Sequence, residues 1–122
     1  MTGYNPQNEY SLKQFAAFAG GDPENLREIL TSFISSGKKN VEFLRQYLED
    51  ENVSMISELS HKMLSLFRQI EANGIAELLS KLEQQTDFRL DKNQYLLHGR
   101  LALEQIEALL LFIQTEENIK DS

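Results

Sequence analysis

Apolar side chains recur every three or four residues along most of this chain, and this spacing places them on one face of an α-helix. Cap-forming and turn-forming residues stand between the apolar segments. The pattern predicts a short helix at 11–18, a long helix at 23–49, a third at 53–71, a shorter one from Ile75 to about Gln85, and a last one ending near Glu116. The last helix is expected to follow a connection at 86–90 and a capping box that begins at Asp91.

The second of these helices contains Gly37 within the polar run 35–39, which has the composition of a loop. The apolar register argues for a continuous helix, because steps of four and three residues lead from Phe33 through Gly37 to Val41 and Leu44 on one face. A glycine inside a helix costs only about 1 kcal/mol relative to alanine. We therefore predict one helix across the whole segment.

The predicted inward positions define how the helices pack. On the third helix they are Ile56, Leu59, Met63, Phe67 and Ile70, and on the last helix they are Leu97, Leu101, Ala108 and Phe112. No segment shows the alternation that is typical of strands. The sequence thus predicts an all-α fold, an antiparallel four-helix bundle with a short additional N-terminal helix. We expect a flexible lead-in at residues 1–9, one domain at 10–117 and a polar tail at 118–122.

Composition narrows the function classes. The 122 residues suffice for one domain, and the formal net charge of −7 disfavours nucleic acid, whose phosphates such a protein repels. There is no cysteine, which fits a reducing cytoplasm. The longest apolar run, residues 108–113, is too short to cross a membrane, so we expect no direct membrane contact and any anchor outside this sequence.

His61 is predicted to lie on the outer face of the third helix, opposite its apolar stripe. The same outer face is predicted to carry Ser57, Leu64, Ser65 and Arg68. Three interpretations of His61 remain open at this point. It is a surface residue without a role, a metal ligand, or a nucleophile for phosphoryl transfer, since imidazole is partly uncharged at neutral pH.

The metal interpretation is the weaker of the two functional ones. Glu58 and His61 have the Glu-x-x-His spacing of di-iron bundles, but both are predicted to face outward, and His98 has Tyr95 where a second glutamate is needed. We expect no metal site, and we interpret His98 as structural. The chain has no phosphate-binding glycine loop and no kinase signature, so a phosphoryl carrier would depend on partners for donor and acceptor.

The segment Ser60-His61-Lys62-Met63-Leu64-Ser65-Leu66-Phe67-Arg68-Gln69-Ile70 resembles the phosphoacceptor helix of histidine-containing phosphotransfer (HPt) domains. Residues 15–26 and Phe33 also resemble that family's opening helices, and the likeness extends over roughly 10–112. The resemblance implies a phosphorelay carrier whose His61 takes a phosphoryl group from one receiver-domain aspartate and passes it to another. It further implies a place at the end of a hybrid sensor histidine kinase.

Three positions depart from the family's usual motif, which has Lys, Gly and Gly where this chain has Leu64, Ser65 and Glu71. Ser65 is small and leaves clearance beside the imidazole. Lys62 and Arg68 flank His61 and can take the place of the missing lysine, arginine by bidentate contact with phosphate. The family often has a polar partner for the unreactive ring nitrogen, and the helical register places that partner at Glu83.

The resemblance also implies partners. We expect response-regulator receiver domains to dock around His61, with Ser57 and Leu64 at the contact, and the domain to be a monomer. Any Mg²⁺ would belong to the receiver, so no cofactor is expected on this chain. Enzyme status stays open, because the carrier has no kinase site of its own. The alternative function is a non-catalytic helical interaction module that binds receivers without phosphotransfer.

Overall fold

The computed structural model describes residues 4–84 and 92–119, and its regular elements there are all helical, with no strand. A single 3₁₀ turn at Pro6–Asn8 precedes five α-helices. Their bounds are α1 Lys13–Phe18, α2 Pro23–Glu49, α3 Val53–Gln69, α4 Asn73–Gln84 and α5 Lys92–Glu116. The predicted helices are confirmed to within two residues at most ends, whereas Gln85, the connection at 86–90 and the capping box at Asp91 lie outside the described residues.

Local caps fix where α2 and α3 begin. Asp22 Oδ1 accepts a hydrogen bond from the Glu24 amide at 2.9 Å, and Pro23 occupies the first turn of α2. Asn52 Oδ1 accepts one from the Met55 amide at 3.1 Å at the start of α3. Each cap satisfies an amide that the first turn of a helix leaves without a backbone acceptor.

The helices α2 and α3 also end in the same way. The residue after the C-cap has a φ of 54° in both, at Glu51 and at Glu71. At the end of α3, the Glu71 amide donates to the Arg68 carbonyl at 3.0 Å and the Ala72 amide to the Phe67 carbonyl at 2.9 Å. These two bonds form a Schellman motif, which turns the chain sharply into α4.

The four long helices share one hydrophobic core. Consecutive helices pack on one another, α5 also packs on α2, and α3 contacts α2, α4 and α5. The predicted stripe of α3 is confirmed, since Ile56, Leu59, Met63, Phe67 and Ile70 are all buried. Phe33 lies edge-on to Phe15 at 5.6 Å and to Phe67 at 5.7 Å between ring centroids, which ties α1, α2 and α3 together.

Gly37 belongs to this core because α5 passes close to it. A Cβ atom at that position would lie 2.9 Å from both methyl carbons of Leu110, well inside van der Waals contact. The continuous helix that the apolar register predicted is confirmed by the bounds of α2, Pro23–Glu49, and the close approach of α5 explains why a glycine stands in it.

The predicted stripe of α5 is wrong. Leu97 is 57% exposed, and Leu101, Ala108 and Phe112 are only half-buried. The buried residues of α5 are instead Tyr95, Leu96, Gly99, Ala102, Ile106, Leu109, Leu110 and Ile113. Leucines occupy several faces of this helix, so periodicity alone does not identify the one that packs.

Both ends of the described chain contribute to the core. Tyr4 packs against it, the turn Pro6–Asn8 contacts α5, and Ile119 is buried. These residues fall in the segments predicted as a lead-in and a tail. Among the helices described, none is long and apolar enough to cross a lipid bilayer.

Candidate functional site

His61 stands in the middle of α3, and its side chain is 71% exposed. The adjacent Ser60 and the nearby Met63 are both buried, so the helix holds the imidazole on the opposite side from its core contacts. The predicted outward position of His61 is confirmed. A ring in this position is open to a second macromolecule while its backbone is fixed in a packed helix.

Glu83, from α4, is the partner of the imidazole. Its Oε2 lies 2.8 Å from His61 Nδ1, and its side chain is only 33% exposed. The contact that the resemblance implied between these two residues is present. With the neutral ring, Nδ1–H donates to the carboxylate, which leaves Nε2 as the nitrogen with a free lone pair. Nε2 has no hydrogen-bond partner among the described residues.

Ser57 lies one turn before His61 and also reaches Glu83. Its Oγ donates to the Glu83 carbonyl oxygen at 2.7 Å, and the residue is half-buried. The prediction placed Ser57 on the outer face as a docking residue. In the structure its hydroxyl is engaged between α3 and α4.

The remaining predicted site residues lie together with His61 around one shallow depression of ≈ 570 Å³. Its lining residues are His61, Lys62, Leu64, Ser65, Arg68, Ser80, Glu83 and Gln84. Lys62, Ser65, Arg68 and Glu83 were all predicted as the environment of the histidine, and the fold brings them together. Ser80 and Gln84 were not found from the sequence. Ser80 lies three residues before Glu83 on the same face of α4, and this spacing is the signal that would have suggested it. Gln84 lies four residues after Ser80 and contacts its hydroxyl.

Two cations border the depression. Lys62 and Arg68 are exposed, and neither forms an ion pair within the part of the chain that the structure describes. Ser65, one turn after His61, is exposed, and its hydroxyl lies 3.5 Å from the Lys62 carbonyl of its own helix. The depression beside the imidazole therefore contains a small residue, Ser65, and two cations without an ion pair in the described residues, which suits an anionic group.

Leu64 does not occupy the predicted place. The prediction put it on the outer face at the edge of the docking surface, but it is only 6% exposed and belongs to the hydrophobic core. Since α3 contacts three other helices, it buries a wider arc than a single stripe. Leu64 therefore borders the depression from below and offers almost no surface of its own.

The metal interpretation gains no support from the geometry. Within residues 4–84 and 92–119, no group of three or more His, Asp or Glu side chains is arranged to hold a metal ion. Glu58 is exposed, and the carboxylate beside His61 is that of Glu83. His98 is half-buried on α5, where its Nδ1 lies 2.9 Å from the Gln94 carbonyl oxygen.

In the described part of the chain, the fold is all-helical and the site presents His61, paired with the Glu83 carboxylate, beside Lys62 and Arg68. Comparison with protein-family models, with curated proteins and with solved structures finds no significant match.

Proposed function

We propose that this chain is a phosphorelay carrier of the HPt kind, with α2 to α5 as its antiparallel four-helix bundle and His61 as the phosphorylated residue. The observation that carries the proposal is the state of the imidazole. His61 is 71% exposed, its Nδ1 is paired with Glu83 at 2.8 Å, and its Nε2 has no partner among the described residues. That arrangement leaves the Nε2 lone pair available for attack, while the contact of Nδ1 with Glu83 fixes the orientation of the ring.

The transfer step joins Nε2 of His61 to an aspartyl phosphate on a receiver domain. The Nε2 lone pair attacks the phosphorus of an aspartyl phosphate on a receiver domain, an N–P bond forms, and the P–O bond to the aspartate breaks. The aspartate leaves as a carboxylate, and the positive charge that develops on the imidazole is stabilised by the Glu83 carboxylate. Attack by the aspartate of a second receiver on the same phosphorus reverses the step and restores neutral His61.

Lys62 and Arg68 neutralise the phosphoryl oxygens in this proposal. Each is exposed at the border of the depression and has no competing ion pair in the described residues. Arg68 lies seven residues after His61 on the same face of α3, and helix geometry tilts its side chain toward the N-terminal end of α3, where His61 lies. The receiver supplies any Mg²⁺ from its own acidic pocket.

A second candidate is a non-catalytic helical module that binds receivers without accepting phosphate. The observation in its favour is at residue 64, where the usual motif has a lysine and this chain has a buried leucine. A cation at that position would stand one turn from the imidazole, and none stands there. If Lys62 and Arg68 replace that cation, the chain can accept a phosphoryl group. If they do not, it can only bind receivers.

Phosphorylation of the purified chain distinguishes the two candidates. We expect phosphoramidate, and a matching receiver domain carrying aspartyl phosphate, to add one phosphoryl group that is labile to acid and stable to alkali. His61→Gln should abolish the modification, whereas His98→Gln, the matched control at the chain's second histidine, should retain it. Receiver binding without any modification would favour the interaction module, and modification that persists in His61→Gln would refute the proposal.

A further inference from the structure

The last turn of α4 is fixed by two side-chain hydroxyls from neighbouring helices. Tyr95 Oη on α5 donates to the Leu82 carbonyl oxygen at 2.7 Å, and Ser57 Oγ on α3 donates to the Glu83 carbonyl oxygen at 2.7 Å. Both acceptors lie in the last turn of α4 as the structure describes it, Asn73–Gln84. The two hydroxyls therefore attach this turn to α3 and to α5.

Ser57 has a particular relation to the candidate site, because two successive turns of α3 hold the same residue. The Ser57 hydroxyl donates a hydrogen bond to the backbone carbonyl of Glu83. The imidazole of His61, four residues later, lies 2.8 Å from the carboxylate of the same residue. The buried Leu82 next to Glu83 completes the attachment of this turn to the core. The position of the carboxylate therefore depends on where Ser57 places the backbone that bears it.

From these contacts we infer that Ser57 is a positioning residue, which holds the last turn of α4 so that Glu83 keeps the proton of His61 on Nδ1. The effect on reactivity rests on the proposed function, while the effect on the imidazole itself does not. If the Ser57 hydroxyl is removed, the Glu83 carbonyl loses this hydrogen bond and the turn is freer to move. The ring can then carry its proton on Nε2, and a protonated Nε2 has no lone pair for attack.

The expected loss is modest and measurable. A neutral hydrogen bond contributes about 0.5–1.5 kcal/mol, which corresponds to a change of about two- to tenfold in an equilibrium or a rate. Ser57→Ala should therefore lower the ratio of Nδ1–H to Nε2–H imidazole by about two- to tenfold. The rate of phosphorylation by phosphoramidate should fall by a similar factor.

The test is ¹⁵N NMR of the imidazole of His61 in the full chain, at a pH where the ring is neutral. Ser57→Ala should shift both ring nitrogens toward the Nε2–H form, and Ser57→Thr, which keeps a hydroxyl, should restore the original shifts. Ser54→Ala is the matched control, because Ser54 is exposed in the first turn of the same helix. Far-UV circular dichroism should show the same helix content in all variants.

A double-mutant cycle with Glu83→Ala separates positioning through Glu83 from any direct effect. Once the carboxylate is absent, Ser57→Ala should cause no further change in the tautomer ratio. An unchanged ratio in Ser57→Ala, or an equal change in the Glu83→Ala background, would overturn the inference even if His61 is phosphorylated normally. If the tautomer responds as expected but no phosphoryl group is ever accepted, the inference stands and the proposed function fails.

Discussion

Glu71, just beyond the end of α3, has a backbone conformation that favours glycine. Its φ is 54°, and the Schellman hydrogen bonds of the helix end hold it there. Glycine is also the residue that the usual HPt motif has at this position. We predict that Glu71→Gly makes the protein more stable. Glu71 is a cleaner site than Glu51, which has the same φ but whose carboxylate lies 3.2 Å from Lys92 Nζ.

The magnitude follows from two opposing terms. The left-handed conformation costs a residue with a Cβ atom about 1–2 kcal/mol of folding free energy, and glycine avoids this cost. Glycine also lowers the stability by about 0.4–1 kcal/mol, because it increases the conformational entropy of the unfolded chain. The net gain is about 0.5–1 kcal/mol. Unfolding entropies of about 2.1 cal/mol/K per residue convert this gain into a rise in Tm of about 2–4 °C for a chain of 122 residues.

Thermal and urea unfolding followed by circular dichroism measure this gain. Glu71→Ala is the matched control, since it removes the same carboxylate from the C-terminal end of α3 but keeps the Cβ atom. The difference between the two variants isolates the backbone term from the effect of charge on the helix dipole. If Glu71→Gly is no more stable than Glu71→Ala, the conformational argument is refuted.

Three further predictions concern the core and its hydroxyls. Ser60→Ala should stabilise the protein by about 1 kcal/mol in urea unfolding, because Ser60 Oγ is buried without a partner in the described residues; a loss of stability would reveal a hydrogen bond. Phe33→Ala should cost about 3–5 kcal/mol by the same assay, since the ring lies between two other aromatic rings; a cost below 1 kcal/mol would contradict that packing. Burial raises the pKa of Tyr95 to about 12. Unfolded chains release this proton near pH 10, so the free energy of unfolding should fall as the pH rises from about 10 to 12. In Tyr95→Phe it should fall less steeply with pH, and an equal slope in the two proteins would oppose the prediction.

Much of the fold was predictable because its signals are local. The bounds of α2 follow from the Asp22-Pro23 cap and from an apolar register that continues through Gly37. The outward position of His61 follows from the period of the α-helix. The pairing of His61 with Glu83, in contrast, joins residues 22 positions apart and came only from the resemblance to HPt domains.

Other features depend on which helices become neighbours. Leu64 is buried because α3 contacts three other helices, and no pattern within α3 indicates that number. Leu97 is exposed because α5 packs through a different one of its several leucine-rich faces. The hydroxyl of Ser57 is polar enough for a surface position, and only the approach of α4 shows that it holds a backbone carbonyl.

The sequence by itself determined the order of the helices, the caps of α2 and α3 and the face of α3 that carries His61, because these depend on residues within a few positions of one another. Only the tertiary structure decided which face of α5 is buried. It also decided that Ser57 and His61 both form hydrogen bonds with Glu83 of α4. It also brought Ser80 to the depression beside His61. These features need helices that are distant in the chain to meet at a particular rotation and height, and the packing of the whole core sets both.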